Sequence, residues 1–418
     1  MNPYILGLQC TMCQQIFDPK QIKTTCPICG DAGILDVLYD YEAIKKDLNL
    51  HSLSSNQDRT MFRYQQLLPV EDKHIDKMLK IGWTPLYRTN RLHHALSIKQ
   101  LYIKDDGQNP SGSLKDRASA IAVLRAIEEN NPIIACSSTG NAASSLAASA
   151  ARMGLKTYIF VPKRAPVGKL AQLQIYGAHV IMVDGDYKDT YNLSKKAIDH
   201  HGWYNRNAAI NPYLVEGKKT VALEIAEQLH FQLTDWVVVS VGDGCTIAGV
   251  YKGFYDLKKL GLIQAIPKLL GVQSEGCNPL VKAFHTHSPC QWTEENTLAD
   301  SISVGVPRNP IKALRAIEAS HGSMVDVSDQ SILDAMRLMG KYEGIFGEPA
   351  AAAALAGLQK AIKQQIIKPN ESMVIINTGN GLKDPQNAQR ATKEPILMKP
   401  DLDILIAHIE QEGEHKHE

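Results

Sequence analysis

One pattern recurs along the middle of this chain: a short apolar, β-rich run followed by a helical segment. It appears at 133–136 and 142–153, at 157–161 and 168–176, and at 179–183 and 188–200. Further runs at 236–241 and 373–377 are continuous in β-branched and other apolar residues. Strands that carry no polar alternation need cover on both faces. Parallel sheets with helices on either side supply that cover, so the alternation predicts an α/β fold. No repeat of fixed period is present.

Length and charge bound the alternatives. At roughly 150 residues per domain, 418 residues allow two or three domains or two large lobes. A hydrophobic fraction of 44% with 21% charged residues excludes a mostly disordered, collagen-like or coiled-coil chain. Lys plus Arg is 45 against 44 Asp plus Glu, so no global basic field for nucleic acid exists. No apolar run reaches bilayer length. Residues 1–7 lack a basic region followed by a long apolar run. A cytoplasmic protein with no nucleic-acid and no membrane partner is expected. The polar tail 409–418 is expected to fray, and its His415 and His417 are not read as a metal site.

The cysteines are unevenly placed. Cys10 and Cys13 form one C-x-x-C pair and Cys26 and Cys29 another. Gly30 follows and can supply a knuckle turn. Two close pairs joined by a short loop suit tetrahedral Zn2+, so residues 1–39 read as a structural zinc-ribbon-like segment. A ribbon that has lost its metal, or a redox pair, is the alternative. Cys136, Cys245, Cys277 and Cys290 read as unpaired structural thiols. His285, His287 and Cys290 are too loosely spaced to be taken as ligands. Trp83, Trp203, Trp236 and Trp292 read as packing residues. Residues 40–80 form a mixed arm with helical patterning at 41–48 and 59–67, the latter ended by Pro69.

Ligands in open α/β sheets collect at the carboxyl ends of strands, and four loops lie there. Ser111-Gly112-Ser113-Leu114-Lys115-Asp116-Arg117 carries Ser113 and Asp116 at capping-box spacing, opening a helix that runs to Glu128. Lys115 then falls in the first helical turn, where the helix dipole opposes a cation. That dipole and a neighbour such as Arg117 would lower its pKa and suit it to nucleophilic work. Cys136-Ser137-Ser138-Thr139-Gly140-Asn141 precedes an Ala/Ser-rich helix and suits a carboxylate. Val241-Gly242-Asp243-Gly244-Cys245-Thr246 suits a single phosphate. Ile247 stands where a dinucleotide fingerprint needs its third glycine, and no P-loop Lys-Ser or Lys-Thr follows. Asn377-Thr378-Gly379-Asn380-Gly381-Leu382-Lys383-Asp384 can present the neutral hydroxyl of Thr378.

An amine nucleophile, a carboxylate loop, a monophosphate loop and a neutral hydroxyl together suggest pyridoxal 5'-phosphate. The chain resembles the fold-type II pyridoxal-phosphate enzymes, and most closely the threonine synthase family. The resemblance runs from the four-cysteine segment to Pro385. It is carried by residues 109–117, by Ser137-Ser138-Thr139-Gly140-Asn141, by Glu216-Gly217-Lys218-Lys219-Thr220 and by Glu343-Gly344-Ile345-Phe346-Gly347-Glu348-Pro349-Ala350. It implies a tryptophan synthase β-like α/β fold with two parallel-sheet lobes. The large cofactor-binding lobe would take 81–130 and 206–395, and a small mobile substrate lobe 131–205, with 396–418 as a tail. Lys115 would carry the cofactor covalently and act as catalytic base, and Asn141 would hydrogen-bond the ring hydroxyl. Gly242, Asp243, Gly244, Cys245 and Thr246 would hold the cofactor phosphate, and Thr378 would face the pyridine nitrogen. Ser138, Thr139 and Asn207 would contact the amino-acid substrate. A homodimer is also implied.

The family's substrate, O-phospho-L-homoserine, brings a second phosphate that needs its own donors. The family typically has Thr where this chain has Ala142, Asn-Ser where it has Asn207-Ala208, and Arg where it has Leu214. It usually has Asn at Asp243, Gly or Ala at Cys245, and His at Asn380. Asp243 suits a phosphate poorly, so its side chain is expected to turn away. Three readings follow. One is a threonine synthase that recruits phosphate donors from elsewhere, such as Lys218, Lys163 or Arg164. Another is β-elimination or β-replacement on a different amino acid, as in threonine or serine dehydratases and cysteate synthase. The third is a non-catalytic binding protein.

Overall fold

The computed structural model describes residues 2–71, 73–163, 167–185 and 187–414. Arg164, His415 and His417 lie outside them. The chain opens with an antiparallel three-stranded sheet in the order β2-β1-β3, built from β1 (Ile5–Cys10), β2 (Ile16–Phe17) and β3 (Leu35–Tyr39). Next come β4 (Leu86–Arg88) and β5 (Gln100–Asp105). A four-stranded parallel sheet, order β8-β7-β6-β9, uses β6 (Ile133–Ser137), β7 (Lys156–Pro162), β8 (His179–Val183) and β9 (Tyr204–Asn205). The chain then returns to the sheet begun by β4 and β5 with β10 (Trp236–Ser240), β11 (Lys268–Ser274), β12 (Ser323–Val327) and β13 (Ser372–Asn377). That sheet runs β12-β11-β10-β13-β5-β4, parallel except at β4.

The inner strands β10, β11 and β13 are buried because helices cover them, whereas the edge strand β8 stays half-exposed. The helix Pro349–Lys363 is rich in alanine, and its small face lets Gly357 sit against Val272 of β11. A Cβ there would fall 2.2 Å from a Val272 methyl. Among the described residues, no helix is long and apolar enough to cross a membrane.

Three expectations need correction. Residues 59–67 do not form an α-helix, and only Met61–Leu67 winds, as a 3₁₀ segment kinked at Tyr64. The capping box at Ser113 does not form. The helix Lys115–Glu128 starts without a side-chain cap, because the Asp116 carboxylate instead accepts from the Ser111 N–H at 2.8 Å. Trp292 does not pack: it is 69% exposed.

Behind the Lys115–Glu128 helix runs a buried ion network. Arg117 donates to Asp106 at 2.7 Å and also pairs with Glu224. Lys104 reaches the same Glu224 at 2.7 Å, and Lys219 pairs with Glu216 and with Asp256, the latter at 2.6 Å. Burial pushes Glu224 up, but Arg117 and Lys104 outweigh it and hold its carboxyl down at about 2.

Candidate active site

All four loops meet at the carboxyl ends of the two parallel sheets. The backbone ties them together. Leu114 N–H donates to the Thr378 carbonyl at 2.9 Å, and Asn380 N–H to the Gly112 carbonyl at 2.9 Å. Ser113 and Gly379 form an antiparallel bridge. Thr378 is therefore beside the first turn that carries Lys115. From the other sheet, the loop after β6 opens the helix Asn141–Met153, and the Asn141 amide donates to Glu348 at 2.7 Å and to the Ser301 hydroxyl at 3.3 Å. Ser138 accepts from Gly140 N–H at 3.2 Å, and with Thr139 it is half-buried at this helix start.

The loop after β10 has the shape of a cradle. Gly244 has φ +85°, and a Cβ on it would fall 2.7 Å from the Asn309 carbonyl. A Cβ on Gly242 would meet Ile302 at 3.0 Å. Asp243 turns its carboxylate aside to accept from Arg308 N–H at 3.1 Å. The helix Cys245–Lys259 begins here with its first N–H groups unspent by helix geometry. Cys245 is 2% exposed and packs with Ile34, Ala209 and Val215.

Lys115 is half-buried, and its amine is lowered from 10.5 to about 8. Burial is the main cause, followed by the cations of Lys218 and Arg206; Asp243 and Glu348 pull the other way. The neighbouring cation is thus not Arg117, which faces the ion network behind. Sequence reasoning missed Arg206, Ser301, Asn309 and Glu348. Glu348 lies within a stretch that carries the family resemblance, and its place before Pro349 marks a helix start. Arg206 and Asn309 left no motif, since only the fold brings them here.

Asn207 accepts from Ser137 N–H at 2.9 Å. Its other amide atom, Nδ2, is buried without a partner, as are the hydroxyls of Ser113 and Ser137. Both side-chain polar atoms of Asn309 are also unpartnered, in a residue only 1% exposed against the Gly244 turn. Orphaned buried polar groups are costly unless something else completes them. Together with a glycine cradle at a helix start and a depressed lysine, they fit a phosphorylated aldehyde cofactor. Lys163 is exposed and pairs with Asp184 at 3.1 Å.

At the amino terminus, the sulfurs of Cys10, Cys13, Cys26 and Cys29 lie within 4.8 Å of one another. A Cβ on Gly33 would fall 2.6 Å from that of Cys26 and 2.8 Å from that of Cys29. The next residue, Ile34, packs on Cys245 at the cradle. Lys312 and Arg315 of the helix Pro310–Ala319 hold the Leu35 and Thr11 carbonyls at 2.7 and 2.9 Å. His285 does not join a cluster; its Nε2 meets the Met324 carbonyl at 3.0 Å.

Comparison with known proteins agrees with this architecture. The family described as "Pyridoxal-phosphate dependent enzyme" matches residues 77–379. A solved threonine deaminase isoform from Solanum lycopersicum superposes with a TM-score of 0.66 at 22% identity, over 81% of this chain and 94% of that one. The family match and the fold define a fold-type II pyridoxal-phosphate dependent enzyme. The threonine synthase of Methanocaldococcus jannaschii is 41% identical over 400 residues, covering 95% of this chain and 98% of that protein. That of a Bacillus species is 38% identical over 349 residues, covering 83% and 96%. The chain belongs to the threonine synthase family.

Proposed function

We propose that this chain converts O-phospho-L-homoserine and water to L-threonine and phosphate. The observation that carries the reading is similarity to a threonine synthase over 95% of the chain. Pyridoxal phosphate, when bound, supplies an electron sink for the pair left at a substrate α-carbon. Lys115 is the residue to hold it, with Gly242 to Thr246 around its phosphate, Asn141 and Thr378 at its ring, and Asn309 completing the cradle. A neutral hydroxyl at Thr378 does not enforce ring protonation as a carboxylate would, which favours elimination and replacement over transamination.

The remaining steps belong to side chains. The Lys115 amine, poised at about 8, takes the α-proton and passes protons on within the closed site. Ser138, Thr139 and the start of the Asn141–Met153 helix orient the substrate carboxylate. Loss of a β-proton lets the Cγ–O bond break, its electron pair leaving on the phosphate oxygen. A proton returned to Cγ makes the methyl group, water then adds its hydroxyl at Cβ, and a proton returned to Cα completes threonine, the remaining proton leaving on the phosphate.

The four cysteines are proposed to hold structural zinc, because four sulfurs this close match its tetrahedral preference. We also propose that residues 131–205 move as a substrate lobe against 81–130 and 206–395, and that the protein works as a cytoplasmic homodimer. Those last points rest on the family resemblance.

A second reading, β-elimination or β-replacement on another amino acid, is favoured by Ala142 and Leu214. Leu214 is 1% exposed and belongs to the main apolar core, so it offers no phosphate donor. The deciding experiment incubates cofactor-loaded protein with O-phospho-L-homoserine and measures phosphate and threonine together. Equal release of both supports the synthase. No release, with keto acid formed from L-serine or L-threonine, supports the second reading.

A further inference from the structure

Eight lysines and arginines are buried among the described residues. Six of them, Arg63, Lys104, Arg117, Arg125, Lys219 and Lys312, form salt bridges with carboxylates. Lys218 and Arg206 are 3% and 2% exposed, and among the described residues neither has a carboxylate salt bridge. Arg206 spends two donors on one hydroxyl, that of Ser119, at 3.2 and 3.1 Å. Buried charges of this kind are costly unless an anion completes them.

Their position identifies the face they serve. Gly217 lies so close to the Lys115–Glu128 helix that a Cβ would fall 2.2 Å from the Arg117 carbonyl. Lys218 follows it, and its own Cβ lies 3.0 Å from where a Gly249 side chain would start. The Lys218 side chain is thus wedged between the opening turns of the Lys115–Glu128 and Cys245–Lys259 helices. A cation near two helix starts is unfavourable by itself. Ser119, which holds Arg206, is one turn beyond Lys115 on the same helix face. Arg206 and Asn207 directly follow β9, beside Ser137 at the end of β6. Arg206 and Asn207 thus lie on the side of the small sheet, facing the carboxylate loop, while Lys218 stands between them and the cradle that follows β10. The unpartnered Asn207 Nδ2 lies in the same place.

We propose that Lys218 and Arg206, with the Asn207 amide, form the subsite that binds the phosphate of a phosphorylated amino-acid substrate. The proposal rests on the reading of the chain as a threonine synthase and names the donors that Ala142, Ala208 and Leu214 do not supply. Two cations next to Lys115 neutralise the ester phosphate as the substrate binds and as charge builds on the departing oxygen. The acids that act on this pair are Asp243, for Lys218, and Asp116, for Arg206; they are engaged by Arg308 N–H and by Ser111 N–H.

The test uses cofactor-loaded wild type and Lys218→Gln, with Arg206→Gln as a second variant should one fail to fold. Orthophosphate binding is measured by calorimetry, cofactor retention by absorbance, and KM and kcat with O-phospho-L-homoserine. Loss of one charge-assisted contact is expected to weaken orthophosphate and raise KM by about 10- to 100-fold. Cofactor affinity should stay within about 3-fold of wild type, a change worth under 1 kcal/mol. Unchanged orthophosphate affinity and KM overturn the proposal. So does an equal fall in cofactor affinity, which would give these cations to the cofactor phosphate. If wild type binds orthophosphate and Lys218→Gln does not, yet O-phospho-L-homoserine is never turned over, the subsite stands and the synthase reading falls.

Discussion

Lys218 and Lys219 are neighbours in sequence, both buried, and they live in opposite electrostatic worlds. Lys219 meets Glu216 and Asp256 within a network whose charges are balanced by the protein itself. Lys218 points to the other side of the same short helix, toward Lys115 and Arg206, with no carboxylate salt bridge among the described residues. The same residue type holds the fold together on one side and leaves a charge deficit on the other. A buried cation that the protein does not balance is a specification for an anionic ligand.

The comparison can be broken in several ways. The largest effect is expected at Lys115 itself. Lys115→Ala should cut turnover by roughly 10³-fold or more, the scale of a lost general base, and abolish the absorption of lysine-linked cofactor. Retained covalent cofactor in that variant would refute the assignment. On the balanced side, Glu224→Gln strands Lys104 in the core and leaves Arg117 paired with Asp106 alone. Breaking a buried pair in this way costs about 3–5 kcal/mol, to be read as a fall in denaturation midpoint at unchanged cofactor content.

A smaller loss is expected at the ribbon. Cys26→Ser, or removal of metal by a chelator, should lower the melting temperature and loosen cofactor retention, since Ile34 links the cysteine cluster to Cys245. Unchanged melting, unchanged metal content and unchanged cofactor retention would count against a zinc-supported cradle.

The smallest effect is one of pH. Lys115 is at about 8 in the folded chain against an ordinary 10.5. Above about pH 8 the unfolded chain therefore holds more protons than the folded one, and stability rises with pH. Below about pH 8 both forms are protonated and the burial penalty is fully present. Cofactor-free protein is expected to gain stability as pH rises from about 8 toward 9.5. Lys115→Met should lose that part of the slope; an identical slope in both proteins would remove Lys115 from the argument.

Much of this was legible in the sequence because it is local. Apolar runs such as Trp236–Ser240 announce buried strands, glycines at 242 and 244 announce a tight loop, and paired C-x-x-C motifs announce a ligand cluster. What the sequence hid is what depends on distance across the fold. Nothing about Arg117 shows that Asp106 and Glu224 claim it, or that Arg206, ninety residues away by way of another sheet, takes its expected place beside Lys115. Ser113 and Asp116 have the spacing of a capping box, yet the carboxylate finds the closer Ser111 N–H. Lys218 and Lys219 read alike until the Gly217 contact fixes which way each one faces.

The most direct test of the contrast is therefore made on those two neighbours. Lys218→Met and Lys219→Met, both loaded with cofactor so that the Gly242–Thr246 cradle is filled, are melted beside wild type in a buffer free of phosphate. Lys219→Met is expected to melt clearly lower, because Glu216 and Asp256 lose their shared partner. Lys218→Met is expected to melt no lower than wild type and to be the only one of the three that added orthophosphate fails to stabilise. Equal losses in the two variants, or equal stabilisation of all three by phosphate, would contradict the account.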